Sequence, residues 1–402
     1  MTTLRMTTAG ESHGPAEVCV LSGVPAGLKI TTEAIDRELA RRQSGYGRGG
    51  RMAVETDRCR FLAGVRHGST LGSPIAILVE NQDHANWRDV MSPEPWPEGR
   101  EEPAPLTIPR PGHADLTGMA KYGHDDIRNV LERASARETV ARVAGGAVCK
   151  RLLAELGVTV IGRVISIGAV ASEARADLAN PESVDWQAAE ASAVGCEDAG
   201  LSQKMCDAID QARDAGESLG GVFEVWCWGM CPGLGGYARP EDRLDGRLLG
   251  ALGAIPAIKG VEIGHGFANA ARTGSRVHDP IVVMGEGEAR WVGRRENNAG
   301  GLEGGMSTGM PLVLRAAMKP IPTLTAPLPS VDLATMEPVG AHVERSDVTA
   351  VPAARVVAEA VVAYVVAGAY LDKFGGDSLR DIVDAAAAYG RTLEERGLWR
   401  RS

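Results

Sequence analysis

The stretch Ser135–Val170, SARETVARVAGGAVCKRLLAELGVTVIGRVISIGAV, decides the fold class because it joins two apolar patterns of different period. Ser135 and Glu138 match the S-x-x-E capping box that begins many helices. Apolar residues then recur at helical spacing on one face, namely Val140, Val143, Ala144, Ala147 and Val148. Residues 157–170 change to the alternation of a long strand. The stretch therefore predicts a long helix that begins near Ser135 and leads directly into a long strand.

The same mixture of elements continues on both sides of this stretch. Further strands are predicted at 16–22, 74–80 and 222–229, and further helices at 33–42, 199–215 and 352–373. Strands and helices do not alternate steadily, as a doubly wound parallel sheet requires, so the pattern favours an α+β fold. No repeat or linker divides the chain, and we expect a single domain over residues 1–402.

Composition and charge narrow the class of protein. The 402-residue chain is 44% hydrophobic, which suffices for a large core, and its net charge of −9 argues against general nucleic-acid binding. The seven cysteines include no C-x-x-C pair, so we expect buried free thiols rather than a metal site. No signal peptide is visible. The uncharged run 360–371 is too short to cross a bilayer and is therefore predicted to belong to a buried helix. We therefore expect a cytoplasmic protein that is not membrane-bound.

Two motifs match known signatures but lie in the wrong context. Gly10–Gly14, GESHG, fits the G-x-S-x-G nucleophile elbow, which needs a strand before it and a helix after it. Only nine residues precede it, and Pro15 and a predicted strand follow. Gly45–Gly50, GYGRGG, fits the dinucleotide motif G-x-G-x-x-G, which leaves a strand and opens a helix. Here it leaves a helix and enters the strand-like residues 52–55, so neither a serine hydrolase nor a Rossmann fold is predicted.

A cluster of arginines surrounds the second motif. Arg41, Arg42, Arg48 and Arg51 occupy eleven residues that contain no acid. Such a cluster is unfavourable in a protein of net charge −9 unless an anion neutralises it. One interpretation is a solvated basic turn. The other is a clamp for phosphate or carboxylate, because the planar guanidinium offers a bidentate fork to either group.

Four further segments contain residues that are suited to proton transfer or to ligand binding. They are RPGHAD at 110–115, RASARE at 133–138, NNAGGLEGGMSTG at 297–309, and KPIPT at 319–323 followed by RSD at 345–347. The first presents His113 in a stiff turn, the second places arginines beside a helix start that suits phosphate, and the glycines of the third allow close approach of a ligand. Together with His13 of GESHG, they predict a pocket for two anionic ligands with a histidine acid–base pair and no evident metal. The other histidines are expected to be structural.

These motifs, in this order, resemble the chorismate synthase family. They are GESHG, RRQSGYGRGGRM, RPGHAD, ERASARET, AIKGVEIG, NNAGGLEGG, MKPI and RSD, and they extend over residues 10–376. The resemblance implies a β-α-β sandwich with long helices between antiparallel sheets, and a homotetramer. It also implies the last step of the shikimate pathway, in which 5-enolpyruvylshikimate 3-phosphate loses phosphate by an anti 1,4-elimination to give chorismate. That reaction requires reduced FMN although no net redox change occurs.

The resemblance further implies roles for residues of this chain. His13 would protonate the departing phosphate, His113 would protonate or stabilise the reduced flavin, and Asp347 would tune proton acceptance at flavin N5. The arginines implied to hold the substrate are Arg42, Arg48, Arg110 and Arg137. The residues implied to contact FMN are Arg133, Ala134, Ser135, Pro256, Ala257, Gly304, Lys319, Pro320, Ile321, Pro322, Thr323 and Arg345. Arg42 and Arg48 also match positions linked to a nicotinamide nucleotide, which we interpret as an overlap with substrate binding.

The chain departs from the family pattern at two of these flavin contacts. Pro256 replaces an amide residue and lacks a backbone N–H, and Pro322 removes a donor from a run that usually contains serine. No recognisable reductase domain is present, so we expect an external flavin reductase to supply reduced FMN, with NADPH as a further candidate reductant. The first alternative is another FMN-dependent enzyme that acts on a phosphorylated anion, namely an ordinary flavin oxidoreductase that uses FMN for net electron transfer. The second is a non-catalytic binder of anions or RNA.

Overall fold

The computed structural model describes residues 4–49, 56–172, 176–287, 290–344 and 347–400. Within these ranges the strands are β1 (Arg5–Ala9), β2 (Ala16–Ser22), β3 (Cys59–Ala63), β4 (Val65–Arg66), β5 (Ser69–Thr70), β6 (Ile75–Glu80), β7 (Thr159–Ile167), β8 (Val170–Ala171), β9 (Gly221–Trp228), β10 (Ile258–Ile263), β11 (Ile281–Met284), β12 (Trp291–Arg294), β13 (Leu302–Glu303), β14 (Met306–Ser307), β15 (Leu312–Met318), β16 (Pro329–Asp332) and β17 (Glu337–Gly340). The helices are α1 (Thr32–Gln43), α2 (Asp115–Tyr122), α3 (Arg128–Leu131), α4 (Thr139–Glu155), α5 (Trp186–Ala191), α6 (Ala199–Asp214), α7 (Leu244–Gly253), α8 (Gly266–Asn269), α9 (Val351–Phe374) and α10 (Leu379–Glu395).

The predicted elements agree with the observed ones within a few residues. The strands expected at 16–22, 74–80 and 222–229 are β2, β6 and β9, and the helices expected at 33–42, 199–215 and 352–373 are α1, α6 and α9. The strand-like residues 52–55 lie outside the described residues.

The helix predicted from Ser135 begins differently. A 3-10 turn covers Ala136–Glu138, and α4 starts at Thr139. The Ser135 side chain accepts the backbone N–H of Arg137. Glu138 accepts hydrogen bonds from Thr8 and Arg142, so it does not complete the capping box in the predicted way.

Two antiparallel sheets form the outer layers of the fold. The first has the strand order β1-β2-β6-β3, and the second has the order β10-β15-β9-β7-β8. In the first sheet β2 pairs with β6 from Ala16 opposite Glu80 to Leu21 opposite Ile75. In the second, β9 pairs with both β7 and β15, so its residues Phe223 and Val225 are buried in the centre.

The helices α4 and α9 fill the space between the sheets. Helix α4 packs on the first sheet, α9 packs on the second, and the two helices pack on each other. Two consecutive glycines allow α4 to approach both the first sheet and α9 closely. A Cβ at Gly145 would meet Cys19 Sγ of β2 at 2.7 Å, and one at Gly146 would meet Ala360 Cβ of α9 at 2.4 Å. The arrangement is the predicted β-α-β sandwich.

Helix α9 is the central core element. By length and composition, this 24-residue helix could cross a membrane, because an 18-residue segment of it has a mean hydropathy of 1.6. However, 94% of that segment is buried inside the protein. The expectation of a buried helix is therefore confirmed. The helix extends beyond the uncharged run 360–371 and includes Arg355 and Glu359, whose charges are neutralised within the core.

One buried ion cluster explains how α9 carries a charge in the core. The Glu359 carboxylate is fully buried and accepts hydrogen bonds from Arg41 at 2.7 Å, Lys150 at 2.8 Å and the backbone N–H of Gly162 at 2.9 Å. Burial alone would raise the pKa of Glu359, but Lys150 and Arg41 lower it to about 2. Glu359 thus links α9 to α1, α4 and β7.

Candidate active site

A cavity of about 710 Å³ lies where the N-terminal end of α9 meets turns that connect the strands of both sheets. Its volume falls within the roughly 300–1,000 Å³ that is usual for small-molecule sites. Ala350, Ala353, Ala354 and Val357 contribute an apolar wall at the start of α9. Among the described residues that line the cavity, seven are lysine or arginine and three are aspartate or glutamate. The lining therefore favours anionic ligands with an apolar part.

Most of the residues singled out in the sequence lie in this lining. They are His13, Arg42, Arg48, Arg110, His113, Ala134, Ser135, Arg137, Pro256, Ala257, Lys319, Ile321, Pro322, Thr323 and Asp347. The structure thus brings together segments that are separated by more than three hundred positions in the chain. The two histidines, the arginines and Asp347 face one common space.

Four predicted flavin contacts are not part of this group. Arg133 donates instead to the carbonyl oxygens of Gly10 and Thr8. Gly304 lies in the turn between β13 and β14, and Pro320 is exposed outside the lining. Arg345 lies outside the described residues.

His13 is held in the turn between β1 and β2 by Glu132. Glu132 Oε2 accepts the backbone N–H of His13 at 2.8 Å, and the ring Nδ1 lies 2.9 and 3.1 Å from the two carboxylate oxygens. The strand β1 does precede this turn, but β2 follows it where a nucleophile elbow needs a helix. The structure therefore agrees with the rejection of that motif, for the second of the two reasons given.

Trp87 forms an aromatic wall beside His13. The two rings stack with centroids 4.0 Å apart, and the Arg128 guanidinium lies 5.0 Å from the Trp87 ring centroid. Arg128 also donates to Glu132 at 3.1 Å. Burial alone would raise the pKa of Glu132, but the hydrogen bonds from His13 and the charge of Arg128 lower it.

His113 has its own carboxylate partner in the turn before α2. Its Nδ1 contacts Asp115, which is fully buried and also accepts hydrogen bonds from Arg110 Nε at 2.9 Å and Nη2 at 3.2 Å. Burial would raise the pKa of Asp115, but these hydrogen bonds lower it. Because Nδ1 is engaged by the carboxylate, Nε2 is the ring nitrogen that can exchange a proton with a ligand.

Asp57 joins two of the cavity arginines. Its oxygens accept hydrogen bonds from Arg42 Nη2 at 2.9 Å and from Arg137 Nη1 at 2.7 Å, and all three side chains are buried. Arg137 Nε donates to Asn81 at 2.6 Å. Burial lowers the pKa of Arg42 to about 10, and the charges of Arg48 and Arg137 add to this effect while Asp57 opposes it. Arg42 remains charged at neutral pH.

Asp347 pairs with the third arginine of this group. Its carboxylate accepts Arg48 Nη1 at 2.8 Å and the backbone N–H of Gly49 at 2.6 Å. The Nε atoms of Arg42 and Arg48 are buried and have no hydrogen-bond partner among the described residues. Two buried charged donors without an acceptor are unusual and indicate that an anion completes the site.

The arginines of the predicted cluster do not all lie in one place. Arg42 and Arg48 line the cavity, whereas Arg41 is directed into the core, where it pairs with Glu38, Glu190 and Glu359. Consecutive residues of α1 point about 100° apart, which sends the two neighbours to different sides of the helix. Arg51 lies outside the described residues. Neither open interpretation therefore applies to the whole cluster.

The opposite part of the lining contains two lysines and a strained residue. Lys259 and Lys319 both line the cavity, and burial together with the charge of Lys259 lowers the pKa of Lys319. Ala257 has a φ of +67°, a conformation that is uncommon outside glycine and often occurs at functional sites. Its carbonyl accepts the backbone N–H of Lys319 at 2.9 Å, which fixes the two predicted flavin segments together.

Several residues of the site were not predicted from the sequence. Glu132, Asp57 and Trp87 support His13 and the arginines, and Lys259 and His342 also line the cavity. Glu132 is the first residue of ERASARET, and Lys259 lies inside AIKGVEIG, so both belong to motifs that carry the family resemblance. His342 was assigned a structural role by default. Asp57 and Trp87 lie in segments without any motif.

In the described part of the chain, no group of three or more His, Cys, Asp or Glu side chains is arranged to hold a metal ion. All seven cysteines are buried and free, which confirms the prediction of buried thiols.

Comparison with known proteins gives one consistent result. The sequence model of the chorismate synthase family matches residues 4–371. The chorismate synthase of Desulforudis audaxviator is 54% identical over 386 residues, which cover 96% of this chain and 97% of that protein. The chorismate synthase of Rubrobacter xylanophilus is 54% identical over 392 residues, which cover 98% and 97% respectively. A crystal structure of a chorismate synthase superposes with a TM-score of 0.78 at 39% identity, covering 98% of this chain and 99% of that one.

Proposed function

This chain belongs to the chorismate synthase family, whose members are carbon–oxygen lyases acting on phosphates, and on that premise we propose its reaction and its cofactor. The substrate is 5-enolpyruvylshikimate 3-phosphate, and the products are chorismate and phosphate, formed by an anti 1,4-elimination. Reduced FMN is required without net redox change. The observation that carries the proposal is the cavity itself, in which a surplus of cations surrounds two histidines that each bind a buried carboxylate.

The residues of the cavity fit a flavin nucleotide. The small side chains of Ala350, Ala353 and Ala354, at the start of α9, leave an apolar surface against which a flat ring system can pack. Lys319, with Lys259 beside it, offers positive charge for a phosphate. When bound, the reduced flavin supplies transient electron density to the substrate. Pro256 and Pro322 line the cavity without backbone donors, so they would contribute contact area only.

The arginine end of the cavity suits the substrate phosphate and carboxylates. This end is lined by Arg42, Arg48 and Arg137. The Nε atoms of Arg42 and Arg48 are buried and have no hydrogen-bond acceptor among the described residues. Hydrogen bonds to charged groups contribute about 1.5–3 kcal/mol each, so several would stabilise the departing phosphate substantially. Arg110, which is bound to Asp115, would contribute positive charge nearer to His113. Proposed nicotinamide contacts at Arg42 and Arg48 would overlap with this substrate site.

Three groups are proposed to handle protons. His13 would donate one to the phosphate oxygen as the C3–O bond breaks. His113, with Nδ1 bound to Asp115, would hold or move a proton at Nε2 beside the cofactor. Asp347, between Arg48 and the Gly49 amide, would influence acceptance of the proton that leaves C6 at flavin N5.

We also propose a homotetramer that works in the cytoplasm and receives reduced FMN from an external reductase, with NADPH as an alternative reductant. Large apolar side chains that are exposed in the single chain support association with further copies. They include Tyr237, Phe267, Ile281 and Val283, which are 75, 76, 67 and 61% exposed. Seven buried free thiols are consistent with a reducing compartment.

The reaction is tested by anaerobic incubation with the enolpyruvyl substrate and dithionite-reduced FMN, with chorismate followed by absorbance. We expect turnover with only a catalytic amount of reductant. Stoichiometric consumption of reductant would instead support an ordinary flavin oxidoreductase, the main alternative. No product at high enzyme concentration would contradict both the reaction and the substrate.

Variants test the assigned groups in the same assay. His13→Ala and His113→Ala should each lose most turnover and keep their fold, whereas His124→Ala, outside the cavity lining, should retain it. Asp347→Asn should lower turnover more than FMN affinity. Near-normal rates in either cavity variant would remove that histidine from its role, and a defect confined to FMN affinity would contradict the role of Asp347.

A further inference from the structure

The turn that carries His13 is attached to Glu132 by both its backbone and its side chain. The backbone N–H of Ser12 donates to the Glu132 carbonyl at 2.9 Å, and that of His13 donates to Glu132 Oε2 at 2.8 Å. The imidazole Nδ1 then lies within 3.1 Å of both carboxylate oxygens. Glu132 is 3% exposed, so these contacts are shielded from water. The one carboxylate therefore controls the position of the turn and the orientation of the ring.

The environment of Glu132 keeps its carboxylate ionised. Arg128 Nη1 donates to Oε1 at 3.1 Å, and the pKa of Glu132 is lowered although burial alone would raise it. An ionised carboxylate accepts hydrogen bonds and cannot donate them. The ring nitrogen that faces it, Nδ1, must therefore carry a hydrogen in both the neutral and the charged form of His13.

Trp87 restricts the remaining freedom of the ring. Its stacking on His13, with centroids 4.0 Å apart and planes 29° apart, opposes rotation of the imidazole out of its plane. Arg128 contacts both Trp87 and Glu132, so the three residues form one connected support.

We propose that Glu132 is the positioning residue of His13, fixing Nδ1–H toward its carboxylate so that Nε2 is the atom that delivers the proton. This inference rests on the proposed function only in giving His13 a proton to deliver. The negative charge of Glu132 also stabilises the imidazolium that must exist before the transfer. A neutral residue of the same shape would retain part of the tether but would lose this stabilisation. The arrangement is chemically similar to the carboxylate–histidine pair of serine proteases.

The central test compares Glu132→Gln with the wild type in the anaerobic assay. We expect kcat to fall by at least roughly 10- to 100-fold, the loss that is typical when a residue that orients a metal-bound histidine is replaced. KM and the FMN dissociation constant should change by less than about twofold, because Glu132 does not line the cavity. Glu132→Asp, which keeps the charge, should recover part of the loss. Glu224→Gln is the matched control, since Glu224 is 1% exposed and bound by Arg163 and Arg315 away from the cavity.

A double variant separates positioning from a general structural effect. If Glu132 acts through His13, the change to Gln should have almost no further effect on kcat in the His13→Ala background. A loss of the same size in both backgrounds would show that Glu132 merely supports the turn, and would overturn the proposal. An unchanged kcat in Glu132→Gln would overturn it as well.

The tautomer of His13 gives a readout that does not depend on activity. In protein labelled with ¹⁵N-histidine, with the His13 signal identified by its absence in His13→Ala, the neutral ring should be the Nδ1–H tautomer. In Glu132→Gln it should shift toward Nε2–H. An Nε2–H tautomer in the wild type would refute the proposal even if every Glu132 variant failed to fold. Absence of chorismate formation by the wild type, with the expected tautomer present, would instead refute the proposed function.

Discussion

Glu17 is a buried carboxyl group whose titration should be visible in the stability of the protein. It lies on β2, is 1% exposed, and both of its carboxylate oxygens are buried without a hydrogen-bond partner among the described residues. Arg133 Nη1 approaches no closer than 3.8 Å. Burial raises the pKa of Glu17 from 4.5 to about 7, an effect that Arg137 and Arg133 only partly oppose. The folded protein therefore favours the protonated form.

The sign of the pH dependence follows from that shift. A carboxyl group with a raised pKa in the folded state contributes stability that is fully present below its unfolded pKa and is lost as the pH rises through the folded one. For a change from 4.5 to about 7, the complete loss is about 3 kcal/mol. Between about pH 5.5 and about pH 8.5 the change is about 2 kcal/mol, because the unfolded chain is already largely ionised at the lower pH.

Glu17→Gln tests this magnitude because glutamine stays neutral at every pH. Urea unfolding of the wild type and the variant, at the same protein concentration, gives the difference between their unfolding free energies at each pH. We expect this difference to move by about 2 kcal/mol in favour of the variant between about pH 5.5 and about pH 8.5. Any fixed effect of an unpaired amide cancels in that comparison. Glu80→Gln, with an exposed side chain on the neighbouring strand, controls for the loss of a carboxylate as such. A difference that does not vary with pH would refute the reasoning.

Three further predictions concern the arginines, the helix contact and the cofactor. Asp57→Asn leaves two buried guanidinium groups without their shared anion, so it should lower the unfolding free energy by about 3–5 kcal/mol, and inorganic phosphate should raise its Tm more than that of the wild type. Gly146→Ala should destabilise by about 1–3 kcal/mol in thermal melts because its Cβ meets Ala360 at 2.4 Å. Its matched control is Gly250→Ala, with open space around it on α7, which should be neutral or stabilising by up to about 1 kcal/mol. Lys319→Met should weaken FMN binding in fluorescence titrations by about tenfold or more, and an unchanged affinity would exclude it from the flavin site.

The secondary structure could be predicted where its cause is local. Thr31 accepts the N–H of Ala34 and caps α1, which starts one residue before the predicted 33. The alternation in 157–170 becomes β7 and β8. The start of α4 could not be placed, because Glu138 bonds Thr8, a residue 130 positions away. Side-chain partners that are remote in sequence decide such boundaries, and no local pattern contains them.

The site could be predicted as a set of residue types but not as a set of pairs. Histidines and arginines in glycine-rich turns were recognisable, whereas the carboxylates that orient them were not. Glu132 is 119 positions from His13, and Asp57 is 80 positions from Arg137. Only folding reveals which acid neutralises which base. The division of Arg41 from Arg42 was accessible in principle, since neighbouring residues on a helix face different directions.

Physical irregularities that do not depend on any motif also occur in the cavity, although not only there. Ala257 has a left-handed backbone, and the Nε atoms of Arg42 and Arg48 are buried without partners among the described residues. Both features oppose folding, so they persist only if the rest of the fold compensates for them, and such exceptions are expected where a protein functions. Elsewhere, His67 and Met336 also have positive φ, and Glu17 and Arg355 also have buried polar atoms without a hydrogen-bond partner among the described residues. Glu17 lies on β2, and Arg355 lies in the core ion cluster. An anion that supplies the missing acceptors would bind the folded state alone, and its binding energy would then add to the stability of the fold. The same unpaired donors that lower the stability of the fold would therefore contribute to the affinity of the site for an anion.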